Sequence, residues 1–221
     1  MWRGISELAT FQGGTQCVSR CGKGAGEVIP EFNHSFVLPP FVGEQLTQAQ
    51  GSPYHVTALE LVQRFATSPE RAVILRGLLD YRAELRGLGF VEGFQWLDGS
   101  FVENVEAHQS RTPNDVDVVT FAHAPTGLSN TAIQAMMNAN PDIFVKERCK
   151  ERFYCDPMVI NLNKRPEKLV QDVRYWYGLF SHRRGDHVWK GMLQLPLQSD
   201  DEMARVILDN MSEEVSDVAT T

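Results

Sequence analysis

No stretch of about 18 consecutive apolar residues occurs in this 221-residue chain, so no segment reads as a membrane-spanning helix. The amino-terminal residues lack the apolar core of a secretory signal. Cysteine is scarce. The four residues Cys17, Cys21, Cys149 and Cys155 fit neither a disulfide framework nor a paired-cysteine zinc site, and Cys17 and Cys21 with His34 lack a second ligand pair. Reduced thiols without an export signal lead to the expectation of a cytoplasmic protein. Positive charge is also in deficit, at a formal net charge of -7, which argues against nonspecific nucleic-acid binding by the whole surface. The deficit is uneven: Lys146 to Lys190 holds eleven Lys/Arg against six Asp/Glu, whereas Ser199 to Thr221 holds one Arg against seven acids. A local basic face is compatible with the acidic total.

What is present is enough apolar residue, 43%, to bury a core, that of one domain with appendages or of two small ones. Residues 1–27 are rich in Gly, Ser, Thr and Gln and read as a weakly ordered extension, 28–198 as the folded domain, and 199–221 as an acidic helix or tail. The proline-bearing "IPEFNHSFVLPPF" suits an extended arm laid over the core. Thr57 caps a helix through Ala66, and Ser68-Pro69-Glu70 opens a second, in which Ile74, Leu78, Tyr81, Leu85 and Leu88 share one face. Gly87 and Gly89 end it, and "FQWL" reads as a strand leading into Gly99-Ser100. After the loop "HQSRTPN" come the strand "DVDVVTF", helices near Leu128–Asn138 and Asp142–Arg152, the strand "YCDPMVINL" and the helix "PEKLVQDVRYWYGLF". Ser199 with Glu202 matches a capping box opening a last helix. This order predicts an α/β (α+β) domain, a small mixed sheet with flanking helices.

Residues two apart on a strand share a face, so Asp115 and Asp117 project together from an apolar strand. Two like charges so close are costly unless a cation lies between them, and a divalent ion such as magnesium suits carboxylate oxygens together with substrate phosphates. Gly99 allows close backbone approach to a ligand, and the N–H groups of a turn attract phosphate, with the Ser100 hydroxyl beside them. Taken singly, a Gly-Ser pair is a common turn and an Asp-x-Asp at a strand edge is commonly solvated; their order along the chain is what points to chemistry. Asp156, opening "PMVINL", is the expected third carboxylate. Asp142 in "NPDIF" has a structural reason to start a helix, and Asp98, just before Gly99, is expected to face solvent, the alternative being that it orients the turn. In "FSHRRGDHVWKGML", Arg183, Arg184 and Lys190 would neutralise a triphosphate tail or a nucleic-acid backbone; the alternative is a solvated loop. Trp189 and the aromatic residues of "VRYWYGLF" read first as core, and only second as surfaces that stack on a base.

The combination of "GS", "DVD" and a later strand aspartate resembles the nucleotidyltransferase superfamily, the fold of DNA polymerase β and of the small antitoxin-like nucleotidyltransferases. More narrowly, "IPEFN", "LPP", "WLDGSF", "PNDVDVV", "CDPMV" and "WKGML" resemble a bacterial family related to that superfamily, many of whose members lie near mobile or defence genes. The resemblance spans about residues 28 to 195. It implies a nucleotidyltransferase-like sheet and Mg2+ or Mn2+ held by Asp115, Asp117 and Asp156. It also implies transfer of a nucleoside monophosphate from a nucleoside triphosphate to a hydroxyl of a protein, an RNA or a small molecule, with Asp156 also able to act as general base. A toxin–antitoxin or antiviral defence setting follows from the same likeness. One departure is the spacing: fourteen residues separate Ser100 from Asp115, so "NVEAHQSRTPN" must bulge or carry an acceptor contact. The alternative reading is a non-catalytic, antitoxin-like module that sequesters a partner; a third is phosphodiester hydrolysis by the same carboxylates. A partner protein or a homodimer is compatible with either, and no membrane partner is expected.

Overall fold

The structure, a computed structural model, describes residues 29–43 and 50–218, with side chains through residue 211. The expected extension over residues 1–27, with Cys17 and Cys21, lies outside the described residues. Ahead of the first strand, Ile29, Val37 and Leu38 of the proline-bearing arm are buried in the core, as expected of a segment laid over it.

Thr57 starts helix α1 (Ala58–Phe65) with a capping box: its hydroxyl accepts the Glu60 N–H at 3.2 Å, and Glu60 Oε2 accepts the Thr57 N–H at 2.8 Å. Ser68 caps α2 (Pro69–Gly87) by accepting the Arg71 N–H. Ile74, Leu78, Tyr81 and Leu85 of α2 are all buried, so the expected apolar face holds. Strand β1 (Tyr54–His55) precedes these helices. Strand β2 (Gly93–Asp98), a 3-10 turn (Ser100–Val102), α3 (Val105–Gln109) and β3 (Val116–Ala122) follow them. Then come α4 (Asn130–Ala139), α5 (Pro141–Phe144), α6 (Lys146–Phe153), β4 (Cys155–Asn161), α7 (Pro166–Phe180), β5 (Leu193–Pro196) and α8 (Asp201–Val218).

The five strands form one mixed sheet in the order β1-β5-β2-β3-β4. β2 is antiparallel to β3 and β5, while β1–β5 and β3–β4 are parallel. The fold class is therefore the expected one. Both faces of β3 are covered, which explains its near-continuous apolar run. Val116 and Val118 join the main core with α1, α2 and α8, whereas Val119 and Phe121 join Trp96, Ile160 and Phe180 in a second cluster beneath α7.

Two local expectations need correction. The single helix predicted over Asp142–Arg152 is broken at Val145, whose backbone is extended, into α5 and α6. On one continuous helix Ile143 would point roughly 100° away from Cys149 and Phe153; with the break, all three are buried. Ser199 does not cap the last helix. Its hydroxyl accepts the Ala58 N–H at 3.0 Å and Asp200 accepts the Leu59 N–H at 3.0 Å, so both residues complete the start of α1. The acidic C-terminal segment, expected as a helix or tail, forms α8, in which Ala204 and Leu208 are fully buried.

A buried cation ties these layers together. Arg82, 0% exposed, bonds Asp201 through Nε and Nη2, both at 2.8 Å, Gln95 Oε1 at 2.6 Å and the Pro196 carbonyl at 2.8 Å. Burial alone would raise the Asp201 carboxyl, but hydrogen bonds and charge from Arg82 and Arg86 outweigh it and hold the group below the usual carboxylate range. Such a depressed group stabilises the fold above its unfolded pKa, and that contribution is lost as pH falls through the folded value. Replacing Arg82 with Met is expected to cost about 3–5 kcal/mol in urea denaturation at neutral pH, with the penalty shrinking on acidification. An unchanged urea midpoint would show that the clamp contributes nothing.

Candidate active site

Strands β2, β3 and β4 lie side by side with Asp98 opposite Asp117 and Asp117 opposite Asp156. Register partners on adjacent strands project from the same face, so these carboxylates form a row on the α7 side of the sheet. Asp115, immediately before β3 and two residues from Asp117, joins the row at its end. The predicted ligands Asp115, Asp117 and Asp156 thus line one cavity of about 340 Å3, together with Gly99, Ser100, Arg183, Arg184 and Lys190. Burial, then the charges of Asp156 and Asp115, push the Asp117 carboxyl up, and Arg184 and Lys190 offset this only in part.

Gly99 sits at φ 84°, and a Cβ there would lie 2.6 Å from Asp117 Oδ2. The backbone angle requires glycine, and the close approach shows the turn pressed onto the central carboxylate. The fourteen-residue connection from Ser100 to Asp115 does not pull Ser100 away. It folds into the 3-10 turn and α3, and is held down by Arg71, which is 3% exposed. Arg71 bonds the Phe101 carbonyl at 2.7 Å, the Glu103 carbonyl at 2.6 Å and both oxygens of Glu106.

The expectation that Asp98 faces solvent is wrong. Asp98 is 4% exposed, and burial pushes its carboxyl up to about 7 against the pull of Lys190. The cause is a partner ninety-two residues away in sequence. Lys190, itself buried, places Nζ 3.1 Å from Asp98 Oδ1, 2.8 Å from Glu103 Oε1 and 3.1 Å from the Gly99 carbonyl. Lys190 was expected on a triphosphate; its ammonium is instead engaged beneath the Gly99 turn, which it anchors. Arg183 is similarly committed, bonding Asp186 at 3.0 Å and the Ser35 carbonyl at 2.7 Å. Arg184 is the exposed member of the expected trio and lines the cavity. Trp189, expected in the core, is 58% exposed, and Tyr175 and Tyr177 are exposed as well; of that aromatic run, Phe180 is buried and Trp176 packs against the second cluster. Asp142 behaves as a helix-start acid, pairing with Arg148 at 2.7 Å and Arg152 at 3.2 Å.

Two residues were missed. Lys146 pairs with Asp156 at 2.5 Å, and Lys150 pairs with Asp115. A four-residue spacing on one helix was the available signal. As these pairs stand, no group of three His, Cys, Asp or Glu side chains among the described residues is gathered to hold a metal ion. The donor set nevertheless has the right chemistry for a hard cation: carboxylate oxygens only, with Asp117 raised by burial and then by its like-charged neighbours. A second cavity of about 410 Å3 adjoins the first, sharing Asp117, Asp156, Lys146 and Arg184 and walled by Met158, Tyr175 and Trp176.

A family model described as "Family of unknown function (DUF6932)" matches residues 30–196. The chain belongs to this family. Its matched span includes every carboxylate and cation of the cavity. No curated protein matches the sequence. A solved structure described as "Crystal structure of the toxin-antitoxin with AMP-PNP" is similar at 16% identity with a TM-score of 0.25, over 66% of this chain and 91% of that one. No helix among the described residues is long and apolar enough to cross a membrane.

The Lys190 anchor is open to a direct check. Lys190→Met strands Asp98 and Glu103 without their cation and is expected to cost about 3–5 kcal/mol. Asp98→Asn keeps the shape of the protonated acid and is expected to cost about 1 kcal/mol. Urea denaturation of both at pH 7 decides; a loss below about 1 kcal/mol for Lys190→Met would mean that Lys190 does not hold the turn.

Proposed function

We propose that this protein is a nucleotidyltransferase, moving a nucleoside monophosphate from a nucleoside triphosphate to an acceptor hydroxyl of a protein, an RNA or a small molecule. The observation that carries the reading is the in-register row of Asp117 and Asp156 with Asp115 beside it, facing a glycine turn and Arg184 across one cavity. Asp115, Asp117 and Asp156 would hold Mg2+ or Mn2+, which when bound would neutralise them and polarise the phosphate. Gly99 lets the chain approach the β- and γ-phosphates, the Ser100 hydroxyl bonds them, and Arg184 balances their charge. The acceptor oxygen bonds to the α-phosphorus as the bridge to the β-phosphate breaks; Asp156 takes the hydroxyl proton and pyrophosphate leaves. The adjoining aromatic-walled cavity offers room for a planar group beside the reacting centre. A cytoplasmic location, where triphosphates are available, and a bacterial defence or toxin–antitoxin role belong to the same proposal.

A second reading, a non-catalytic module that sequesters a partner, is favoured by one observation: Lys146 and Lys150 already neutralise two of the carboxylates. The two readings part on Asp117. Asp117→Asn removes a carboxylate from a crowded row, so folding is expected to be retained or slightly improved, while transfer of label from α-32P nucleotides to an acceptor falls at least about a hundredfold. Undiminished transfer in that variant would falsify the assignment, and no transfer by the wild type with any nucleotide favours the binding module.

A further inference from the structure

Helix α6 carries four cations, Lys146, Arg148, Lys150 and Arg152, and divides them by face. Arg148 and Arg152 serve the scaffold, pairing with Asp142 and Glu84. Lys146 and Lys150, one turn apart, both reach the carboxylate row. Lys146 bonds Asp156 at 2.5 Å and Lys150 bonds Asp115, and Lys150 also lies in the field of Asp117. Both lysines line the cavity that holds Gly99, Ser100 and Arg184. They remain 57% and 45% exposed, whereas Asp156 and Asp115 are 18% and 17% exposed, so the carboxylates are fixed and the cations hang on long stems over them. Lysine is a point charge on a flexible four-carbon stem, suited to exchanging one anion for another.

Resting on the nucleotidyltransferase reading, we infer that Lys146 and Lys150 are exchangeable counterions: they neutralise Asp156 and Asp115 while no divalent ion is bound, and turn to the triphosphate oxygens when it arrives. The exchange conserves charge. Each carboxylate that loses a lysine gains a share of a divalent cation, and each displaced lysine meets a phosphate oxygen across the same cavity. The arrangement sets opposite dependences on one side chain. Lysine competes with the metal for the carboxylates, and cooperates with it in holding the polyphosphate.

Two probes that need no knowledge of the base separate these effects: Mn2+ alone, followed by the loss of its free-ion resonance, and magnesium tripolyphosphate, followed by calorimetry. Lys150→Gln is expected to bind Mn2+ alone at least about threefold more tightly than the wild type and tripolyphosphate at least about threefold more weakly. Lys150→Arg is expected to keep both affinities near wild type, and thermal melting of both variants should be unchanged, since the side chain is half exposed. If the wild type binds both probes and Lys150→Gln leaves both affinities unchanged, or weakens both together, the counterion role is overturned while the nucleotidyltransferase reading stands. If neither protein binds Mn2+ or tripolyphosphate, both fall.

Discussion

The parallel register of β3 and β4 sets Asp117 against Asp156, and the antiparallel register of β2 sets Asp98 against Asp117 on the other side. Three acids in adjacent strands on one face repel, and the surrounding chain supplies the compensating charge from two directions. Lys190 meets Asp98 from below the turn, and Lys146 and Lys150 meet Asp156 and Asp115 from α6. Asp117, in the middle, has no cation within ion-pairing distance among the described residues and keeps a raised carboxyl. Arg184 stands nearest to completing the compensation, from an exposed position.

Structural support and candidate chemistry are separated by element. The buried arginines Arg71 and Arg82, both on α2, bind carbonyls and carboxylates at full burial and fix the connector after Ser100 and the start of α8. Neither reaches the cavity. The cations that line it are the exposed Arg111, Lys146, Lys150 and Arg184 and, from the α7–β5 connection, the buried Arg183 and Lys190. A frame of buried charge pairs therefore holds half-buried acids opposite exposed cations.

Local pattern made part of this legible. The α2 face, both capping residues, the strand with its paired aspartates and the position of Asp156 all follow from periodicities within a few residues. Strands β1 and β5 escaped because two- and four-residue segments carry no period; they are strands only by virtue of pairing with each other and with β2. Asp98 and Lys190 escaped because their pairing joins residues far apart in the chain. Nothing local marks Arg71 and Arg82 as buried either, because what buries them comes from elsewhere in sequence. The failed capping box at Ser199 shows the converse, a correct motif whose hydroxyl found a better use at the neighbouring helix.

The belonging of residues 30–196 to one family covers the whole cavity, so the arrangement is a property of the domain and not of its appendages. Its meaning turns on whether divalent metal and polyphosphate meet at the carboxylate row. Crystals soaked with Mn2+ and a non-hydrolysable nucleoside triphosphate, with data collected at the manganese edge, give the most direct answer. Anomalous density bounded by Asp115, Asp117 and Asp156, with phosphates at the Gly99 turn, is the expected result. Manganese absent from those side chains under saturating conditions, or a nucleotide bound on another face, would contradict it.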